Sequence, residues 1–223
     1  MSKASVRMVA MLLTVLAGAV ACRAGGTSAP VPGPVADETR ATSSTKETMV
    51  IAGGCFWGIQ GVFQHVKGVV QATSGYSGGT MKNPDYESVS TGETGHAESV
   101  QVVYDPSKVT YGELLRVFFS VALDPTEVNR QGPDSGTQYR SVIFYANDDQ
   151  KRIADAYIAQ LNQAKVFSKP IATQVVPLKE FYPAEGYHQN YFTLHPDNPY
   201  IVYNDAPKVA NLRREFPELW SGK

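Results

Sequence analysis

From Met49 onward the apolar positions follow two different periods. The run MVIA, closed by Gly53 and Gly54, predicts a short strand at about 49–53. After it Cys55, Ile59, Val62, Phe63 and Val66 fall at helical spacing, so the cysteine opens a helix. VVQATSGYSGG (69–79) reads as a strand breaking into a glycine loop, and HAESVQVVYD (96–105) as a second strand with period-two alternation. YGELLRVFFSVA carries Leu114, Phe118 and Val121 on one helical face. TQYRSVIFYA (137–146) has the β-branched and aromatic character of a strand, and residues 148–163 form a helix with Ile153, Tyr157 and Leu161 on one side. ATQVVPL predicts a further strand, and EGYHQNYFTL and PKVANLRREF predict short terminal helices.

The order strand, helix, strand, strand, helix, strand predicts an α+β fold: a ferredoxin-like, split βαβ two-layer sandwich with a mixed sheet and additional C-terminal helices. The stretch from Tyr76 to Gly95 is long, glycine-rich and without apolar period, which favours a functional loop.

Residues before Met49 change the picture of where the protein works. Lys3 and Arg7 precede an uncharged run over 8–21 that is too short to span a bilayer, which reads as an export signal. Small residues on either side of Val20, followed by Cys22, resemble the lipobox of bacterial lipoproteins. Residues 1–21 are therefore expected to be a signal peptide and Cys22 a lipid site. The protein would be a membrane-anchored lipoprotein facing the periplasm or the cell exterior, with ordinary cleavage and a free Cys22 as the alternative. Residues 22–48, crowded with Pro, Gly, Ser and Thr and without an aromatic, predict a flexible linker, and 49–223 a single domain, expected to be monomeric. The net charge of -1 over 223 residues gives no electrostatic reason to expect nucleic acid as a partner.

Of the two cysteines, only Cys55 lies in the folded part, so no disulfide can form within the domain. Such a thiol is either buried and inert or kept for its reactivity. At the first turn of a helix, unpaired N–H groups and the macrodipole favour an anion, which predicts a lowered pKa for Cys55. Phe56 and Trp57 are either core or the apolar walls of a small slot beside the sulfur. On the strand over 96–105, Glu98 shares a face with His96, Val100, Val102 and Tyr104. A buried Glu98 would stay protonated near neutrality and serve as a general acid; at a wet strand end it would instead pair with Arg140. Tyr86 in the glycine loop and Tyr139 at the start of a strand can bring hydroxyls to a site, and His188 and Tyr191 lie at i and i+3 of a predicted helix. The four histidines and one domain cysteine show no CxxC or HxxxH spacing, so no metal is expected, and no phosphate loop is present.

Taken together, GCFWG (54–58), GYSGG (75–79), NPDYE (83–87), GHAE (95–98), VYDP (103–106), DSGTQYRS (134–141) and AEGYHQNY (184–191) resemble the A class of peptide methionine sulfoxide reductases, in order over about 150 residues. The resemblance implies reduction of the S epimer of methionine sulfoxide, free or in proteins, with Cys55 as nucleophile and no bound cofactor. It implies Glu98 as the acid that protonates the sulfoxide oxygen, Tyr86 and Tyr139 as donors to that oxygen, and Phe56 and Trp57 around the S-methyl group. Asp134 matches a substrate-backbone contact, and His188 and Tyr191 match positions near the pocket. Many members carry resolving cysteines in a C-terminal tail, whereas residues 196–223 have none. The chain thus resembles a one-cysteine member whose sulfenic acid is recycled by an external thioredoxin-like, glutaredoxin-like or small thiol, with an unlipidated Cys22 as an alternative resolving thiol. Two rival readings stay open. One is a cysteine hydrolase or acyl transferase pairing Cys55 with His96 or His188, and the other is a non-enzymatic, lipid-tethered domain that binds methionine-like side chains.

Overall fold

Strand β1 (Glu47–Ala52) is apolar on both sides because both its faces are covered. Met49 and Ile51 pack under the helices, while Val50 and Ala52 pack on the other face with Ala97, Val142 and Phe144. The computed structural model describes residues 31–222. After β1 come α1 (Phe56–Gln64), β2 (Val69–Ser77), α2 (Tyr86–Ser90), β3 (Ala97–Tyr104) and α3 (Tyr111–Val117). A small hairpin, β4 (Arg130–Gln131) and β5 (Asp134–Ser135), precedes β6 (Val142–Tyr145), α4 (Asp148–Gln163), β7 (Gln174–Pro177) and β8 (Phe181–Pro183). Helices α5 (Tyr191–Leu194) and α6 (Ala206–Glu215) follow.

The main sheet has the order β7-β6-β1-β3-β2-β8, antiparallel throughout except between β6 and β7. Its central strands β6-β1-β3-β2, linked through α1 and α3, form the expected split βαβ arrangement. The crossover through α4 then makes β7 parallel to β6. Helices α1, α3 and α4 share one core with the sheet: Ile59, Val62 and Phe63 of α1 join Leu114, Leu115, Ile153 and Tyr157 over Val100, Val102 and Tyr104. Helix α4 has the bounds read from its periodicity, and α3 continues as a π-turn over Phe118–Ala122.

Three expectations are corrected. TQYRSVIFYA is a strand only over Val142–Tyr145; Thr137–Tyr139 form a 3-10 turn, so Tyr139 does not open a strand. EGYHQNYFTL is not one helix but a 3-10 turn (Gly186–His188) and α5, separated by Asn190 in the left-handed region at φ 58. Tertiary bonds break it: Gln189 Nε2 donates to Ser74 O at 2.9 Å, and Asn190 N donates to Gln60 Oε1 at 2.8 Å.

The third concerns the linker, whose part from residue 31 lies along the domain instead of hanging free. Val31, 8% exposed, joins the main core. Arg116 Nε donates to Val31 O at 2.8 Å, the Tyr157 hydroxyl to Pro32 O at 2.6 Å, and Gln160 Nε2 to Gly33 O at 2.8 Å. The Asp37 carboxylate accepts from Gly112 N at 2.8 Å and from the Thr110 hydroxyl at 2.5 Å, and Glu38 Oε1 accepts from Tyr111 N at 2.7 Å. These carboxylates meet unpaired first-turn donors of α3, so the strap is ordered by hydrogen bonds that its composition does not reveal. The signal, Cys22 and the rest of the linker lie outside the described residues. Asp37→Ala is expected to lower stability to urea by about 1 kcal/mol, as loss of a cap does, with Cys55 reactivity unchanged. An unaltered urea midpoint would show that the strap contributes nothing.

Candidate active site

The turn out of β1 requires Gly54 to take φ +90, a region L side chains rarely adopt, and a Cβ there would sit 2.6 Å from the Gln131 side chain. The chain then places Cys55 at the N-cap of α1, with φ -57 and ψ 126. Cys55 is a free thiol, 8% exposed. In the β1–β3 register Ala52 lies opposite Ser99, so Glu98 falls just past the end of β1, beside the tip of α1. Its Oε2 accepts from Phe56 N at 3.0 Å. Thiol and carboxyl thus meet at the same helix end from two different elements, and the Glu98 side chain satisfies the first N–H of the helix.

Glu98 is 2% exposed, and burial raises its pKa to about 8 against the opposing Phe56 N–H bond. It is a neutral acid at neutral pH. The buried reading of this residue is the one observed: Arg140, the alternative partner, donates instead to the carbonyls of Thr137 and Gly95. The expectation for the thiol is reversed. Burial pushes Cys55 well above the usual thiol range, and Glu98 and Asp205 push the same way, outweighing the helix tip and Lys208.

Tyr139 is held close by Gly54 N, which donates to its carbonyl at 3.2 Å, and Tyr86 by its own N–H, which donates to Glu185 Oε1 at 2.8 Å. Burial first and then Glu98 raise both hydroxyls, which therefore stay protonated donors. Phe56 is buried, its ring centroid 5.0 Å from that of His188. Trp57 is half-buried, stacked on Tyr191 at 3.7 Å and 9° and edge-on to Tyr200 at 5.9 Å. Trp57 Nε1 donates to His188 Nδ1 at 3.2 Å, and burial lowers the His188 pKa, leaving a neutral ring with its proton on Nε2. The Tyr200 hydroxyl donates to Asp134, which ties the β4–β5 hairpin to this wall. The structure therefore places the sequence-predicted domain residues around the tip of α1. His96 lies apart: its Nδ1 accepts from Gly79 N at 3.1 Å and its Nε2 pairs with Met81 O at 2.8 Å, fixing the glycine loop. Neither His96 nor His188 hydrogen-bonds the sulfur, which removes the geometry a thiol–histidine hydrolase needs.

Four contributors were missed from sequence. Glu185, which also accepts from the Tyr76 hydroxyl at 2.8 Å, sits inside a quoted motif but carries no periodic signal. Tyr200, Asp205 and Lys208 come from a tail whose approach to α1 depends entirely on tertiary packing. A groove of about 700 Å³ runs elsewhere, along β2 beside Gln60, Gln189 and Asn190, and Cys55 does not line it. Among the described residues no group of His, Cys, Asp and Glu converges as a metal site. At the helix tip stand a thiol and a neutral carboxyl bordered by aromatic rings.

Comparisons with known proteins agree with that chemistry. The family model described as peptide methionine sulfoxide reductase matches residues 47–219. A curated relative from Mesorhizobium japonicum, peptide methionine sulfoxide reductase MsrA 2, is 63% identical over 187 residues, covering 84% of this chain and 95% of that protein. The enzyme of Trichodesmium erythraeum is 48% identical over 172 residues, covering 77% and 97%. Among solved structures, methionine sulfoxide reductase A of Corynebacterium diphtheriae has a TM-score of 0.60 and 38% identity, covering 76% of this chain and 84% of that one. The reduced form of Mxr1 from Saccharomyces cerevisiae has a TM-score of 0.61 and 32% identity, covering 72% and 94%.

Proposed function

Because the chain belongs to the peptide methionine sulfoxide reductase family and is an A-class enzyme of it, an oxidoreductase, we propose that Cys55 is its nucleophile and Glu98 its acid. The observation that carries this reading is the shared helix tip: Cys55 at the N-cap of α1 and a neutral Glu98 bonded to the next N–H.

A sulfoxide sulfur is a poor electrophile until its oxygen is protonated. Glu98 gives that proton, while the Tyr86 and Tyr139 hydroxyls hydrogen-bond the same oxygen as charge shifts onto it. Cys55 attacks the sulfur and forms a sulfur–sulfur bond, and the S–O bond breaks as the protonated oxygen departs as water. A water then attacks the Cys55 sulfur, breaking the sulfur–sulfur bond, so that methionine leaves and Cys55 is left as a sulfenic acid. Two electrons pass from the Cys55 sulfur to the substrate sulfur; the proton the thiol gives up completes the departing water, and the one the attacking water gives up restores Glu98. Phe56 and Trp57 hold the methyl group, with Asp134, His188 and Tyr191 lining the approach. Contacts on three sides of a chiral sulfur favour one epimer, and membership of the A class makes that the S form. Cys55 is the one free cysteine among the described residues, so two equivalents of an external thiol, thioredoxin-like, glutaredoxin-like or small, return the sulfenic acid to thiol and release a disulfide and water. The N-terminal signal and lipobox support export and a lipid anchor on Cys22, and with them the repair of oxidised exported proteins.

Mass spectrometry of the mature protein, mixed with each epimer and no reductant, tests the reading. The S epimer is expected to give one methionine per protein and add one oxygen to Cys55. A disulfide within one chain, or a thioester with an acyl substrate, would refute it.

A further inference from the structure

Asp205 is a fully buried carboxylate that the steps above leave without a role. It is 0% exposed at the start of α6, its Oδ1 lies 3.1 Å from Lys208 Nζ, and its Oδ2 has no partner among the described residues. A carboxylate with one oxygen buried and unanswered is costly to keep, so its position calls for a reason.

Its neighbour is the first turn of α1. A Cβ on Gly58 would collide with the Asp205 carboxylate and lie 3.0 Å from Lys208 Nζ, so the glycine is the seat of the pair. Gly58 follows Cys55 by three residues and lies one turn above it on the same helix face. Nearer the tip, Phe56 N is engaged by Glu98. Two buried carboxylates therefore stand beside one thiol, and only Asp205 carries its own cation.

We propose that the Asp205–Lys208 pair is a positioning element for the nucleophile, with Asp205 disfavouring negative charge on Cys55 and Lys208 offsetting it. The inference rests on Cys55 being the nucleophile. Other titratable groups also face the sulfur. Glu98, from β3, is neutral below about pH 8 and adds its own repulsion above it, equally in the wild type and in both variants. Asp134, from β5, accepts from Tyr200, and the hydroxyls of Tyr86, Tyr139 and Tyr200 are all raised and stay protonated. The resting thiol is thereby kept protonated and unreactive towards adventitious oxidants until a substrate delivers its own polarised oxygen.

The test is the rate at which iodoacetamide alkylates Cys55 across pH in the full chain. Asp205→Asn is expected to alkylate roughly tenfold faster at neutral pH, with its midpoint about one unit lower. Lys208→Gln is expected to do the reverse, because it removes the cation that stands 3.1 Å from Asp205 Oδ1. A folded Asp205→Asn protein whose profile superimposes on the wild type overturns the proposal. If that variant does not fold, an unmoved profile in Lys208→Gln overturns it, since a merely structural pair would not shift a titration. Turnover of Cys55→Ser separates the two readings: persistent activity would sink the nucleophile, whereas Cys55-dependent turnover with unmoved profiles would sink only the pair.

Discussion

Cys55→Ser is expected to abolish methionine formation, with turnover falling by about four orders of magnitude or more, as for removal of other enzymic nucleophiles. The serine oxygen is a far weaker nucleophile and cannot form a sulfenic acid. Serine is close to cysteine in size and Glu98 still accepts from Phe56 N, so the helix tip and the overall stability should survive. The measurement is a single-turnover assay with stoichiometric sulfoxide, read as free methionine. Retention of activity to within tenfold would mean that another group attacks the substrate.

Glu98→Gln is expected to slow the chemical step by roughly 10²- to 10⁴-fold, the usual contribution of a positioned acid. The carboxamide oxygen keeps the bond from Phe56 N, so the change removes the proton and little else. In the wild type, turnover should fall as pH rises through about 8, where Glu98 loses its proton. Stability follows the same group. The unfolded chain loses this proton near 4.5 while the folded one keeps it to about 8, so between these values the unfolded state binds fewer protons. Stability contributed by the neutral form is present below the lower value, declines as pH rises, and levels off above the upper one. Glu98→Gln should flatten that decline in urea titrations at successive pH values. A mutant with unchanged turnover would remove Glu98 from the mechanism.

Much of this was legible from local pattern. Period-two alternation over β3 put Glu98 on the face of Val100, Val102 and Tyr104, and the structure buries that face. The helical spacing after Gly54 put Cys55 at a helix start. The sign of the thiol's shift was not legible, because a helix tip is a sequence feature whereas burial beside Glu98 and Asp205 is a property of assembled elements. Tyr200 and Asp205 reach α1 from the C-terminal tail, and no local period announces such a contact. The docked strap escaped for a related reason: Asp37 and Glu38 gain their partners only once α3 exists.

That strap sets an operating radius. Only residues 23–30 separate Cys22 from Val31, the first of the described residues and one held by the core, and fully extended they span no more than about 30 Å. Under the proposed lipidation of Cys22, the catalytic unit would patrol a thin shell against the bilayer, meeting oxidised proteins at the membrane surface and missing those that diffuse farther away.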